Sequence, residues 1–290
     1  MIVSFHPRIR ADVNFQLTSR DPLHEGHRCA IARAKAVIVT QHVGAQQYAA
    51  CKALCRNVFP DYTYRFGFEG KYGNTRLFAR FDAPHPHSVC YSSVEEFKTR
   101  HFKDNTALMP FPFVLKGDLG GGGWAVFLVR NQQELDNALS TLGDYRLHPT
   151  RRFIVQAFVP HGGQDLRVVV IGDTEKAYWR CQPDPKEFRN NVGRGARIRH
   201  QGDRDLMAKG IACVRRFCKK TGINLAAFDV LFDRSVLRPE PLLSEINFLF
   251  GRKGLGGSGG FHALLKTAVD RWLRGVAGCG DPPCWPRPKK

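Results

Sequence analysis

In Leu242-Leu243-Ser244-Glu245-Ile246-Asn247-Phe248, apolar residues alternate with small or polar ones, the pattern of a strand. Side chains two apart on a strand share a face, so Glu245 and Asn247 would present two oxygen donors side by side. Sixteen positions upstream of Glu245, Asp229 lies in a second strand-like run, Ala226-Ala227-Phe228-Asp229-Val230-Leu231-Phe232, and could add a third donor. Oxygen-only donors suit Mg²⁺, which takes one or two carboxylates and fills its shell with water and substrate phosphates. The competing reading is a hairpin whose polar residues simply face solvent. The rest of the chain decides between the two.

The 290 residues suffice for one large core or for two to three smaller ones, and 43% hydrophobic with 24% charged content is ordinary for a globular protein. No apolar run reaches the 18 residues that a membrane-spanning helix requires. Met1-Ile2-Val3-Ser4-Phe5 begins directly as an apolar strand, without the basic stretch and cleavage site of a signal peptide, which leads to the expectation of a cytoplasmic protein. The nine cysteines, at 29, 51, 55, 90, 181, 213, 218, 279 and 284, form no CxxC pair, and buried reduced thiols are expected. A net charge of +18 would favour a polyanion, but the basic residues are spread along the chain and lack the interleaved aromatics of a base-stacking surface.

Ile2 to Phe5 and Ala36 to Thr40 read as buried strands of a parallel sheet, Ala45 to Arg56 as a helix, and Arg65 to Phe68 and Leu77 to Phe81 as further strands. This gives an α/β unit over 1–95. Over 96–175 the rhythm changes. Phe113 to Lys116 and Trp124 to Val129 would pair as a hairpin around Gly120 to Gly123. A helix capped by Asn131, with Glu134 three residues on, and strands at Phe153 to Gln156 and Leu166 to Ile171 complete a lid-like unit. A third part, 176–278, carries a helix near Asp205 to Thr221, the Asp229 and Glu245 strands, and a helix from Gly260 to about Gly275. The proline-rich end, 279–290, is expected to be a mobile tail.

Lys116 ends an apolar strand just before the glycines, whose backbone N–H groups can approach phosphates while a lysine supplies charge. Neither GxxxxGK[ST] nor GxGxxG is present. Asp165 and Arg167 share a strand face and could meet a ribose and a phosphate, or form a cross-strand ion pair. Phe188-Arg189-Asn190-Asn191 supplies further donors in a loop.

Singly these motifs are weak, but in order the chain resembles the ATP-grasp superfamily, nearest to RimK-type glutamate ligases and glutathione synthetases. The resemblance rests on Pro112-Phe113-Val114-Leu115-Lys116, Asp165-Leu166-Arg167, Phe188-Arg189-Asn190-Asn191, Phe228-Asp229-Val230-Leu231 and Glu245-Ile246-Asn247. It implies an α/β ATP-grasp fold behind an N-terminal pre-ATP-grasp α/β domain, with 96–175 as the lid and 176–278 as the metal-binding part. It implies that Lys116 contacts nucleotide phosphates, that Gln156, Ala157 and Phe158 read adenine, and that Asp165 and Arg167 contact the nucleotide. Arg189 and Asn191 would line the phosphate and acyl-phosphate side and, with Lys116, form the catalytic set. Asp229, Glu245 and Asn247 would hold two Mg²⁺ ions, with Mn²⁺ as an alternative.

The family departs from this chain at Ala157, where it often has Glu, and after Asn247, where it often has Pro-Gly. A second nucleotide lysine would be Lys98 or Lys103. The implied chemistry is ATP-driven joining of a carboxylate to an amine or thiol, on small molecules or peptides, with neither membrane nor nucleic acid as expected partner. The alternative is a non-catalytic basic protein that binds nucleotide or nucleic acid on the same fold. Arg65, Lys71, Tyr72, Asn74, Arg76 and His85 to His87 would help to select an anionic substrate or would form a solvated loop. Gly254 to Gly260 would frame a wide cleft if the acceptor is a protein tail.

Overall fold

Short runs make the first sheet, and those at Ala36–Ile38 and Val58–Phe59 are buried throughout, because strands covered on both faces need no polar alternation. The computed structural model describes residues 1–104, 106–119, 122–144 and 151–277, so Gly120, Gly121 and the 279–290 tail lie outside the described residues. In chain order the first elements are β1 (Ile2–Ser4), β2 (Val13–Asn14), α1 (Glu25–Ala32), β3 (Ala36–Ile38), α2 (Ala45–Leu54) and β4 (Val58–Phe59). The four strands form a parallel sheet in the order β2-β1-β3-β4.

The strands expected at Arg65 to Phe68 and Leu77 to Phe81 are not formed. The first is a turn and the second lies in α3 (Gly70–Arg80). Lys71, Asn74, Thr75 and Phe78 are buried on one side of this helix, a 3–4 spacing that outweighs the short apolar pair Leu77-Phe78. The buried Asn74 is a structural residue: its amide donates to Phe68 O at 2.9 Å and its oxygen accepts from the Ile246 backbone N–H at 2.8 Å.

A second, antiparallel sheet follows, from β5 (Ser88–Tyr91), then α4 (Val94–Lys98), β6 (Phe113–Gly117), β7 (Val126–Val129), α5 (Gln132–Gly143) and β8 (Phe153–Ala157). Its order is β5-β8-β6-β7. Ser93 and Asn131 cap α4 and α5 by accepting from the N–H groups of Glu96 and Glu134, at 3.1 and 2.9 Å. The sheet has its own interior, built from residues such as Phe97, Phe113, Leu139 and Phe153.

The third sheet is antiparallel and five-stranded, in the order β11-β10-β9-β12-β13. It contains β9 (Gln164–Ile171), β10 (Thr174–Cys181), β11 (Arg197–Arg199), β12 (Leu225–Phe232) and β13 (Pro241–Asn247), with α6 (Arg204–Thr221) before β12 and α7 (Gly257–Ala277) at the end. Leu166 to Ile171 therefore pairs with β12 and β10 rather than with the lid strands, and Ser88 to Tyr91 joins the lid sheet through β8. The glycines from Gly257 to Gly260 form the first turn of α7 instead of an open loop. The third sheet and the parallel sheet share one continuous hydrophobic core.

Candidate active site

The register of the five-stranded sheet arranges the chemistry. Tyr178, Arg167, Asp229 and Glu245 are direct cross-strand partners along one row, and Arg180 opposes Asp165 in the adjoining pair. Between Asp229 and Val230 the pairing shifts: Asp229 opposes Glu245, Val230 opposes Leu243, and Ser244 is left as a bulge. Strict alternation would turn Ser244 away from Glu245, but with the bulge both line the same cavity.

That cavity, about 120 Å³, lies between the second and third sheets. Lys116, Asp165, Arg167, Asp229, Glu245 and Asn247 all line it. Gln156, Ala157 and Phe158, at and just beyond the end of β8, also line it, as do Arg189, Asn191, Gly122 and Gly123. The sequence-predicted residues thus converge on one place. The described pair of the glycine run lies there too.

Lys116 bridges two sheets. Its Nζ donates to Gln156 Oε1 at 2.7 Å and to Ser244 Oγ at 3.2 Å. Burial pushes the ammonium down to about 8, against the attraction of Glu245. The Gln156 side chain goes on to donate to Ser88 Oγ at 2.9 Å, and the Ala157 N–H donates to His87 O at 2.8 Å. The side chain of Gln156 and the N–H of Ala157 are therefore engaged within the protein.

Two aspartates and two arginines interlock beneath Lys116. Arg167 donates to both Asp229 oxygens at 2.7 and 2.8 Å, and Arg180 reaches Asp229 Oδ2 at 2.9 Å. Arg180 also forks onto Asp165 at 2.7 and 2.5 Å. The cross-strand ion pair, the plainer use of Asp165 and Arg167, is thus realised, with a different partner for each. Burial would raise the Asp229 carboxyl, but the guanidiniums of Arg167 and Arg180 outweigh it and hold it down at about 2.

These pairs bear on a metal. Asp229 Oδ2 is taken up by Arg167, Arg180 and the Asn247 amide, whereas among the described residues Oδ1 accepts only from Arg167 Nε. Glu245 is half-buried, with Lys71 Nζ 3.9 Å away, and Asn247 Nδ2 contacts Asp229 Oδ2 at 3.4 Å. Among the described residues no three His, Cys, Asp or Glu side chains form a metal cluster. A carboxylate, an amide oxygen and one lone pair of Asp229 remain, a donor set that fits a magnesium ion completed by water and phosphate.

Arg189 is also engaged. Its Nε and Nη2 each donate to Glu187 at 2.7 Å, and Nη1 donates to Gly123 O at 3.0 Å and Val126 O at 3.3 Å. Arg194 Nε donates to Gly122 O at 2.8 Å. Gly123 has φ +71°, and a Cβ there would come within 2.6 Å of Asn191 Oδ1, so any other residue would be strained and would have to displace the Asn191 amide.

Sequence reasoning missed Arg180, Ser244, His161 and Glu187, and it placed Lys71 among substrate-selecting residues. Lys98 and Lys103 are exposed and do not line the cavity, whereas Lys71 is buried and does. Its signal was a lysine on the same helical face as Asn74, Thr75 and Phe78. Arg180 could have been found by the argument that singled out Lys116, a cation ending the apolar run Ala177-Tyr178-Trp179.

A sequence model of the RimK-like ATP-grasp domain matches residues 69–228, over half of the chain. The chain belongs to the RimK-like ATP-grasp family. Among its relatives, the probable alpha-L-glutamate ligase of Pectobacterium carotovorum subsp. carotovorum (strain PC1) is 29% identical over 152 residues, 52% of this chain and 46% of that protein. The protein of the same name from Halorhodospira halophila is 28% identical over 148 residues, 50% of this chain and 44% of its own length. The chain spans about half the length of the curated relatives it matches.

Among solved structures, a RimK domain protein from Sphaerobacter thermophilus DSM 20745 superposes with a TM-score of 0.55 at 17% identity, over 92% of this chain and 98% of that one. The VanG D-Ala:D-Ser ligase of Enterococcus faecalis gives 0.57 at 14% identity, over 84% and 72%. The fold of this RimK-like chain is the α/β ATP-grasp fold. Among its described residues no helix is long and apolar enough to cross a membrane.

Proposed function

We propose that the chain is an ATP- and Mg²⁺-dependent carboxylate–amine (or thiol) ligase that acts through an acyl phosphate, in a cytoplasm that keeps its thiols reduced. The observation that carries this reading is the convergence of Lys116, Arg189, Asn191, Asp229, Glu245 and Asn247 on one cavity. A substrate carboxylate would attack the γ-phosphorus of ATP, releasing ADP and forming an acyl phosphate. An amine or thiol would then attack the carbonyl carbon, expelling phosphate and losing its proton to solvent. No protein nucleophile is required.

Lys116 and Lys71 would supply the positive charge that binds the phosphates, and nearby phosphate would keep Lys116 protonated. Glu245 and Asn247 would be the principal magnesium donors, with Asp229 Oδ1 as a third. When bound, the metal would neutralise charge on the β- and γ-phosphates. Arg167 and Arg180 would orient the Asp229 carboxylate, and Asp165 would hold Arg180 in place. Arg189 would leave Glu187 to meet the transferring phosphoryl group. A cavity of about 120 Å³ is below the roughly 300 Å³ of the smallest usual ligand sites, so nucleotide entry would require the lid to withdraw.

ADP release, measured by mass spectrometry against pools of carboxylates and amines, tests the reading. Glu245→Ala is expected to lower Mg²⁺-dependent turnover at least roughly 10–100-fold. Turnover equal to wild type sinks the metal assignment. Steeply salt-dependent polynucleotide binding without Mg²⁺-dependent ATP affinity would replace the ligase by the binding-protein alternative.

A further inference from the structure

A larger cavity, about 710 Å³, lies at the carboxyl ends of β1 and β3. In the order β2-β1-β3-β4 the chain leaves β1 for β2 on one side and returns to β3 on the other. Open parallel sheets bind ligands in the crevice at such a switch point, and the volume is that of a small-molecule site. No step of the proposed chemistry uses this cavity.

Its walls have two characters. Phe5, Leu17, Leu23, Val39 and Val43 form an apolar surface, while His6, Arg8, His42, Arg252 and His262 supply cationic or donor groups. Among the described residues no Asp or Glu lines it, and neither Arg8 nor Arg252 pairs with a carboxylate. Arg252 is held in place by stacking on Phe261, 4.3 Å from the ring centroid, and by donating to Gln41 Oε1 at 3.3 Å. The Gln41 amide donates in turn to Phe248 O at 3.0 Å, one residue beyond Asn247.

His6 is prepared as a donor. Its Nδ1 accepts from the Arg8 backbone N–H at 3.2 Å, so the neutral ring carries its proton on Nε2. Burial, then His262, Arg252 and Arg8, push its pKa down to about 4. This clustering of positive groups without a counter-ion is relieved by an anion.

We propose that this cavity binds an amphipathic organic anion, with a carboxylate or phosphate head on Arg8, Arg252 and His6 and an apolar body against Phe5, Leu17 and Val39. That the anion is one of two substrates rests on the ligase reading; its binding does not. The cavity's connection to Phe248 places it beside the strand end that carries Glu245 and Asn247.

Hexanoate, hexyl phosphate and the neutral 1-hexanol, titrated by calorimetry into the full chain, provide the test. At least one anion is expected to bind saturably and at least tenfold more tightly than hexanol, and to raise the His6 imidazole pKa followed by NMR. The double variant Arg8→Gln/Arg252→Gln should lose at least tenfold in anion affinity while its ATP–Mg²⁺ affinity stays unchanged. Should the double variant fold poorly, the exposed Arg8→Gln alone is expected to lose at least threefold. Tighter hexyl phosphate assigns a phosphate head and tighter hexanoate a carboxylate. Hexanol binding as tightly as the anions, no saturable anion binding, or unchanged affinity in the variants overturns the site. Anion binding without ATP binding overturns the ligase reading alone.

Discussion

On the proposed function, Lys116 would link protonation to nucleotide binding. Its ammonium is held down to about 8, so the charge offered to phosphate declines as the pH rises through that value. ATP affinity is accordingly expected to fall above pH 8, and Lys116→Met to remove that dependence and weaken binding at pH 7 by roughly tenfold or more. Fluorescence titration of a labelled nucleotide across pH 6.5–9.5 measures both effects. Asp229 works in the other direction: with its folded value near 2, below the ordinary 3.8, its stabilisation is complete above about pH 4 and is lost as the pH falls through 2. Asp229→Asn would leave Arg167 and Arg180 short of an acceptor and should cost about 3–5 kcal/mol, read as a lower urea midpoint. The variant should also lose the part of acid destabilisation that lies between pH 4 and 2. Alternation along one strand suffices to place Glu245 beside Asn247. The Arg180–Asp165 and Arg167–Asp229 pairs required the register between strands, which no single segment carries.

At the level of elements, the capped helix α5 and the strands around Lys116 were legible because local patterns determine them. Gly70–Arg80 was not, since a short apolar pair fits helix and strand alike and the buried Lys71 looked like a surface residue. The sheets that β5 and β9 join were not legible for a related reason: each resembles any short strand, and its sheet depends on distant partners. The lid sheet meets the rest of the site through polar links such as Lys116 to Ser244, Arg189 to Gly123 and Arg194 to Gly122. Such contacts can break without exposing a core. Hydrogen exchange at the amides of β6 and β7 is therefore expected to be faster without nucleotide and to slow on adding ATP–Mg²⁺, while β12 stays protected throughout. Equal protection of the lid in both states counts against an opening lid.

Across the molecule, the +18 charge indicated an affinity for anions without saying where they bind. On the readings proposed above, that role would be divided between the cavity around Lys116 and a second basic cavity at the parallel sheet, and the residues of neither form a linear stripe that a sequence could reveal. The parallel and five-stranded sheets share one interior, whereas the lid keeps a smaller one of its own. Heating such a molecule should not produce a single transition. Differential scanning calorimetry is expected to resolve a minor endotherm for the lid below a major one, with a van't Hoff enthalpy smaller than the calorimetric enthalpy. ATP–Mg²⁺, by tying the lid to Glu245 and Asn247, should merge the two. Nucleotide would then act as a coupler of cooperativity, and a melting curve would report occupancy before any product is identified.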